Sequence, residues 1–170
     1  TPWYNRRRQY RRLMQTCTVE TPLVQAVITG DINGISSVSI KDTTEELSEY
    51  IPEDLLDCVT QLKAYFREER QDFDLKLNPT GTDFQKKVWK YLQQIPFGKT
   101  CSYLELSKKI GNPKAIRAVA NANGKNPLWI IIPCHRVIGS DGSLTGYAGG
   151  LYRKQWLINH ENKHKQQTLF

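Results

Sequence analysis

The sequence predicts an α+β protein: a small N-terminal antiparallel sheet plus a helix, then a mostly helical C-terminal domain with a helix-turn-helix. Three observations predict it. Alternating β-favouring segments cluster within residues 16–40 around an Asn-Gly turn signal. A helical pattern follows, with acids in its first turn. From Thr82 onward, helix-start and helix-stop signals alternate at short intervals.

The elements follow in order. Val24 to Thr29 and Ile35 to Ile40 read as two strands flanking Gly30-Asp31-Ile32-Asn33-Gly34. Pro52-Glu53-Asp54 opens a helix that places Leu55, Leu56, Val59, Leu62, Tyr65 and Phe66 on one face. Phe73 to Leu77 reads as a short closing strand, and Asn78-Pro79-Thr80-Gly81 as a loop. Thr82-Asp83-Phe84-Gln85 fits a capping box, starting a helix to about Gln94 that buries Phe84, Val88, Trp89 and Leu92. Ser102-Tyr103-Leu104-Glu105 is a second capping box, with a helix running to Ile110 and stopping at Gly111-Asn112-Pro113. A third helix runs from Pro113 through Ala122 and ends at Gly124 and Pro127. A last helix, Tyr152 to about Asn162, turns Trp156 and Leu157 inward. These elements divide the chain into a basic arm (1–15), a small α+β domain (16–78) and a helical domain (79–170).

Charge follows the same division. Residues 1–12 carry +5, residues 13–78 carry −8 and residues 79–170 carry +10. A basic second half beside an acidic first half suits a polyanion partner, although a Lys-rich solvated surface is the plain alternative. The arm's Arg6, Arg7, Arg8, Arg11 and Arg12 read as a nucleic-acid contact, a helical surface stretch or a poorly ordered tail. No apolar run approaches the roughly 18 residues of a membrane span, and no signal peptide is visible. Cys17, Cys58, Cys101 and Cys134 are widely spaced, with no C-x-x-C pair and no histidine at ligand spacing. That disfavours a metal site or a disulfide framework and points to an intracellular location.

The densest chemistry lies in Ile130-Ile131-Ile132-Pro133-Cys134-His135-Arg136-Val137. The apolar run before proline reads as a short buried strand delivering a thiol, an imidazole and a guanidinium. Cys134 is then either an activated nucleophile or a buried structural cysteine. The two helices joined by Gly-Asn-Pro resemble a helix-turn-helix of winged-helix-like kind. The second, Lys114-Ala115-Ile116-Arg117-Ala118-Val119-Ala120-Asn121-Ala122-Asn123, offers four alanines and one central arginine. Small side chains allow close, sequence-tolerant approach to DNA, and equally tight packing in a core.

These features together resemble the O6-alkylguanine-DNA alkyltransferase family, the methylated-DNA–protein-cysteine methyltransferases. The resemblance runs through Pro79-Thr80-Gly81-Thr82-Asp83-Phe84-Gln85-Lys86-Lys87-Val88-Trp89, Ser102-Tyr103, Arg117-Ala118-Val119 and Asn126-Pro127. It continues through Ile132 to Val137, Gly146-Tyr147-Ala148-Gly149-Gly150 and His160-Glu161. It is strong over residues 79–161; before that only the hairpin-then-helix outline matches.

The resemblance implies a function: repair by direct, stoichiometric and irreversible transfer of an alkyl group from O6-alkylguanine, and O4-alkylthymine, in double-stranded DNA to Cys134. The base is flipped into a pocket first. His135 acts as base through a water, and Glu161 orients it. Tyr103 serves the leaving guanine, and Asn126 braces the turn before Cys134. The implied DNA-facing residues are Arg117, Ala118, Ala120, Asn121, Tyr103 and Arg136. The implied pocket residues are Trp129, Val137, Tyr147 and Ala148. No cofactor and no metal are expected, the partner is damaged DNA, and a monomer is expected. The location is cytoplasmic in a bacterium and nuclear in a eukaryote. Some relatives carry serine at the place of Ala148, which leaves only a backbone amide to meet O6. Trp129 stands where relatives have a small residue or proline. Competing readings are an alkyltransferase-like damage-binding protein without transfer, a helix-turn-helix regulator, and a cysteine hydrolase.

Overall fold

The computed structural model describes residues 13–42 and 44–167. The arginine cluster at residues 6–12 lies outside the described residues. The chain divides between Thr80 and Gly81 into two compact units.

In the first unit, β1 (Gln15–Val19), β2 (Gln25–Asp31) and β3 (Gly34–Lys41) form an antiparallel sheet in the order β1-β2-β3. Alternation puts Cys17, Val19, Ala26, Ile28 and Val38 in the core. Helix α1 (Glu53–Phe66) covers them with Leu55, Cys58, Val59, Leu62, Tyr65 and Phe66. Leu56, expected on that face, is 49% exposed. One residue past Leu55 rotates a side chain about 100° around a helix, out of a narrow apolar stripe.

Two local details differ from expectation. The hairpin loop is Ile32-Asn33, because Asp31 pairs with Gly34. Asp31 Oδ1 accepts the Asn33 N–H at 2.7 Å, and Gly34 (φ +130°) opens β3. A Cβ on Gly34 would lie 2.7 Å from the Lys76 carbonyl oxygen, so close backbone approach demands glycine there. Phe73 to Leu77 is not a strand. It makes a single parallel bridge, Ile35 to Leu77. Its backbone at Asp74 is satisfied by the Gln61 side-chain amide in both directions, at 2.9 Å each, so no ladder extends.

In the second unit, α2 (Asp83–Leu92) starts at a complete capping box between Thr82 and Gln85. It buries Val88, Trp89 and Leu92, but Phe84 is 38% exposed, being one turn early for the core face. The Trp89 indole N–H donates to the Ala122 carbonyl at 2.8 Å. Strand β4 (Cys101–Ser102) leads directly into α3 (Tyr103–Ile110), whose first turn is capped by Ser102 Oγ accepting from the Glu105 N–H. Gly111 (φ +99°) ends α3 in the left-handed conformation.

The expected third helix is split into a 3-10 turn, Pro113–Ala115, and α4 (Ile116–Gly124). Strand β5 (Val137–Ile138) pairs in parallel with β4, Cys101 opposite Val137. This short ladder fixes the start of α3 against the end of the Cys134 segment. Helix α5 (Leu151–Gln167) is longer than expected at both ends. Leu157 is buried, whereas Trp156 is half-buried and stacks on His160 at 4.9 Å. Among the described residues no helix is long and apolar enough to cross a membrane.

Candidate active site

The approach to Cys134 is a buried turn, which corrects the expected strand over Ile130–Ile132. Ile132 N–H donates to the Leu128 carbonyl at 3.0 Å and Ile131 N–H to the Trp129 carbonyl at 2.8 Å. Ile130 takes φ +68°, a strained conformation for a β-branched residue, and is held there by full burial. Asn126 frames this turn. Its Nδ2 donates to the Ile132 carbonyl at 2.7 Å, and its Oδ1 accepts the Leu128 N–H at 2.9 Å. A polar side chain here replaces a strand ladder, and periodicity cannot distinguish the two in a short apolar run.

Cys134 opens a 3-10 turn, Cys134–Arg136, which stacks thiol, imidazole and guanidinium on consecutive residues. His135 is fully buried, and its Nε2 lies 2.8 Å from Glu161 Oε2 on α5. With Nε2–H donating to the carboxylate, Nδ1 is the basic nitrogen; it is buried and makes no hydrogen bond among the described residues. Arg136 closes the other side of Glu161: Nε donates to Oε1 at 2.7 Å and Nη2 to Oε2 at 3.1 Å. Its Nη1 donates to the Ile95 carbonyl at 2.7 Å.

Arg136 is therefore turned inward. Its guanidinium, expected to contact DNA, is buried against Glu161 and the Ile95 carbonyl. The physical reason is that Glu161 must be neutralised where water cannot reach it.

Protonation follows the burial. Burial pushes the Cys134 thiol up, against the pull of the Asn126 amide and the Lys154 ammonium, so the resting group is a thiol that needs a base. Burial lowers the His135 pKa despite Glu161, keeping the imidazole neutral and able to accept a proton. Burial alone would raise the Glu161 carboxyl. The hydrogen bond from His135, with the hydrogen bonds and charge of Arg136, outweighs it and holds the group well below the usual carboxylate range.

Around this centre, Tyr103 at the start of α3 is half-buried, and its hydroxyl donates to the Thr145 carbonyl at 3.3 Å. Trp129 is buried, the Tyr147 hydroxyl is enclosed, and Ala148 is exposed. Val137, expected in the pocket, is fully buried in β5. On α4, Arg117, Ala118 and Asn121 face solvent and Ala120 is half-buried, while Val119, Ala122 and Asn123 pack inward.

Two residues escaped the reading of the sequence. Lys154 is fully buried, with its ammonium 3.1 Å from the Thr145 carbonyl and 5.8 Å from the centre of the Tyr103 ring. Arg153 is buried beside it and donates to the Gly149 carbonyl at 2.9 Å. The signal was present: 153/154, 157 and 160/161 fall at helical spacing with Leu157, so the core face of α5 carries charge. Among the described residues no group of three His, Cys, Asp or Glu side chains could hold a metal ion.

Residues 83–163 match the family described as 6-O-methylguanine DNA methyltransferase, DNA binding domain. The chain is 46% identical over 151 residues to the methylated-DNA–protein-cysteine methyltransferase of Methanosarcina acetivorans, covering 84% of this chain and 94% of that protein. The chain belongs to the methylated-DNA–protein-cysteine methyltransferase family. Among solved structures, the Mycobacterium tuberculosis O6-methylguanine methyltransferase matches with a TM-score of 0.79 at 41% identity, over 89% of this chain and 94% of that one. The same organism's protein in complex with DNA matches with a TM-score of 0.78 at 43% identity, over 87% and 93%. Family membership covers both units, so the methyltransferase resemblance extends well before residue 79.

Proposed function

We propose that this protein repairs DNA by moving an alkyl group from O6 of guanine, or O4 of thymine, in a duplex onto Cys134. The observation that carries this is the buried Glu161–His135 pair joined in sequence to a buried, protonated thiol. Such a pair has little use in a structural cysteine and is what a weakly acidic thiol requires.

The steps balance on the chain's own groups. Through a water, His135 Nδ1 takes the Cys134 proton, and Glu161 stabilises the imidazolium. The thiolate forms the S–C bond as the C–O6 bond breaks, and the electron pair stays with guanine. Tyr103 donates a hydrogen bond to the departing ring, and the thiol proton ends on guanine. The thioether has no leaving group of comparable ease, so each molecule acts once and needs no cofactor. Arg117 fills the gap left by the flipped base, from an α4 face whose alanines allow close approach. All these groups lie within residues 103–161, so one chain suffices.

The experiment is intact-mass measurement after incubation with duplex DNA holding one O6-methylguanine. One added methyl per chain, on the peptide holding Cys134 and absent in Cys134→Ala, is the expected result. Tight binding without added mass would replace transfer by damage recognition alone.

A further inference from the structure

A buried lysine is rare, because ammonium groups almost never leave water unpaired. Lys154 is fully buried, and among the described residues no carboxylate lies within ion-pair distance of it. Its hydrogen-bond partner is a neutral oxygen, the Thr145 carbonyl, at 3.1 Å. The Tyr103 hydroxyl donates to the same oxygen at 3.3 Å. A carbonyl oxygen has two lone pairs and accepts both.

Thr145 sits in the segment between β5 and α5, residues 139–150, which carries Tyr147 and Ala148. The segment is only lightly tied by its own backbone, through Gly139 N–H to the Ser143 carbonyl, Gly142 N–H to the Gly139 carbonyl and Gly150 N–H to the Tyr147 carbonyl. Its other fastenings come from helices. Among the described residues they include the two donors on Thr145, Arg153 on the Gly149 carbonyl, and the Lys154 backbone N–H on the Gly150 carbonyl at 3.2 Å.

Under the function proposed above, Tyr103 must give its hydroxyl to the incoming guanine. Thr145 then loses one donor at the moment the pocket has to keep its shape.

We propose that Lys154 is a positioning residue that keeps the Thr145 carbonyl, and with it the 139–150 pocket segment, fastened to α5 while the Tyr103 hydroxyl transfers to the flipped base. Tyr103 is parked on Thr145 in the free protein, and Lys154 makes its release inexpensive. This explains why a lysine is tolerated at full burial: its length reaches across from α5, and its ammonium lies against the face of the Tyr103 ring, which favours a cation. The inference rests on the alkyl-transfer reading for its purpose. The fastening itself is measured without DNA.

The test is amide hydrogen exchange across residues 139–150, read at the Gly150 amide, in Lys154→Met. Methionine keeps the length and volume and removes the donors. Protection should fall by about tenfold or more, the loss expected for one charge-assisted hydrogen bond. Half-saturation for transfer from O6-methylguanine duplex should rise, with a smaller effect on the saturated rate. Alkylation of Cys134 by iodoacetamide, which uses neither the flipped base nor the pocket wall, should change less than transfer does. Lys154→Arg, which keeps a donor and charge, should restore part of the protection.

Unchanged exchange in Lys154→Met would overturn the proposal. Equal losses with DNA and with iodoacetamide would do so too, since Lys154 would then act on the thiol alone. Should Lys154→Met fail to fold, Tyr103→Phe decides. Lys154 alone must then hold the segment, and loss of Gly150 protection in that variant would sink the idea. Absence of transfer by the unaltered protein bears on the function, whereas exchange bears on the fastening.

Discussion

Glu161 Oε2 lies 2.8 Å from His135 Nε2, with both side chains closed off from water and Arg136 forked onto the same carboxylate. This three-residue cluster couples the chemistry of the site to the stability of the fold. Removing Glu161 or Arg136 leaves the other's buried charge without its partner. The cost of breaking a buried pair is roughly 3–5 kcal/mol.

Glu161→Gln is the direct test of that coupling. The variant should lose transfer by about 10²-fold or more, the range for removing general-base support. It should also unfold at lower urea, because Arg136 remains buried. Urea titration with single-turnover transfer checks both. A variant with native stability and native rate would show that the cluster is decorative.

Acid should unfold the protein in two stages. The folded pKa of His135 is lowered, so its contribution is complete above the unfolded value of about 6.5 and is lost as pH falls toward the folded value. Glu161 is also depressed, so its contribution is complete above about 4.3 and is lost as pH falls further. Thermal melts between pH 7.5 and 3 should show stability declining first below about 6.5 and again below about 4.3. His135→Gln should remove the first decline and weaken the second, because His135 is the leading partner that holds the Glu161 carboxyl down, with Arg136 next.

Arg136 and Arg117 should separate in salt. Arg117→Ala, on the exposed face of α4, should weaken duplex binding and lower transfer more on duplex DNA than on the free base. Arg136→Met should lower stability by about 3–5 kcal/mol while leaving the slope of log affinity against log salt unchanged, since no phosphate contact is lost. A reduced slope for Arg136→Met would return that guanidinium to the DNA surface.

Asn126→Ala should loosen the turn before the nucleophile. Its amide satisfies the Ile132 carbonyl and the Leu128 N–H, and stranding both costs about 2–6 kcal/mol on the basis of about 1–3 kcal/mol per unsatisfied group. Chemical denaturation measures it. A loss under about 0.5 kcal/mol would mean that water replaces the amide freely.

Trp129 is buried, and we propose that its bulk narrows the pocket against large O6 adducts. Trp129→Ala should consume benzylguanine faster than the native protein does, with methyl transfer changed less. Equal benzylguanine rates in the two proteins would remove Trp129 from adduct selection.

Much of this molecule was legible along the chain because its signals are local. Thr82 and Gln85 cap each other across three residues, Gly111 ends α3 through its own left-handed backbone, and the alanines of α4 lie side by side. The motifs around Cys134 identified the family before any fold was known.

Tertiary structure decided what local signals could not. Glu161 and His135 are 26 residues apart, so their pairing depends on how α5 docks against the 3-10 turn. Arg136 reads as surface charge until Glu161 is placed beside it. Ile130–Ile132 reads as a strand until Asn126 takes the backbone groups that a ladder would use. Lys154 reads as one more lysine in a basic domain until burial sets it against Thr145. The sequence by itself determined most of the helices and their caps, because those rest on interactions within a turn of chain, and the motif that holds Cys134, because it is contiguous. Only the fold decided which charges are neutralised and which carbonyls are held, because burial makes every unpaired polar group costly and selects its partner from distant parts of the chain.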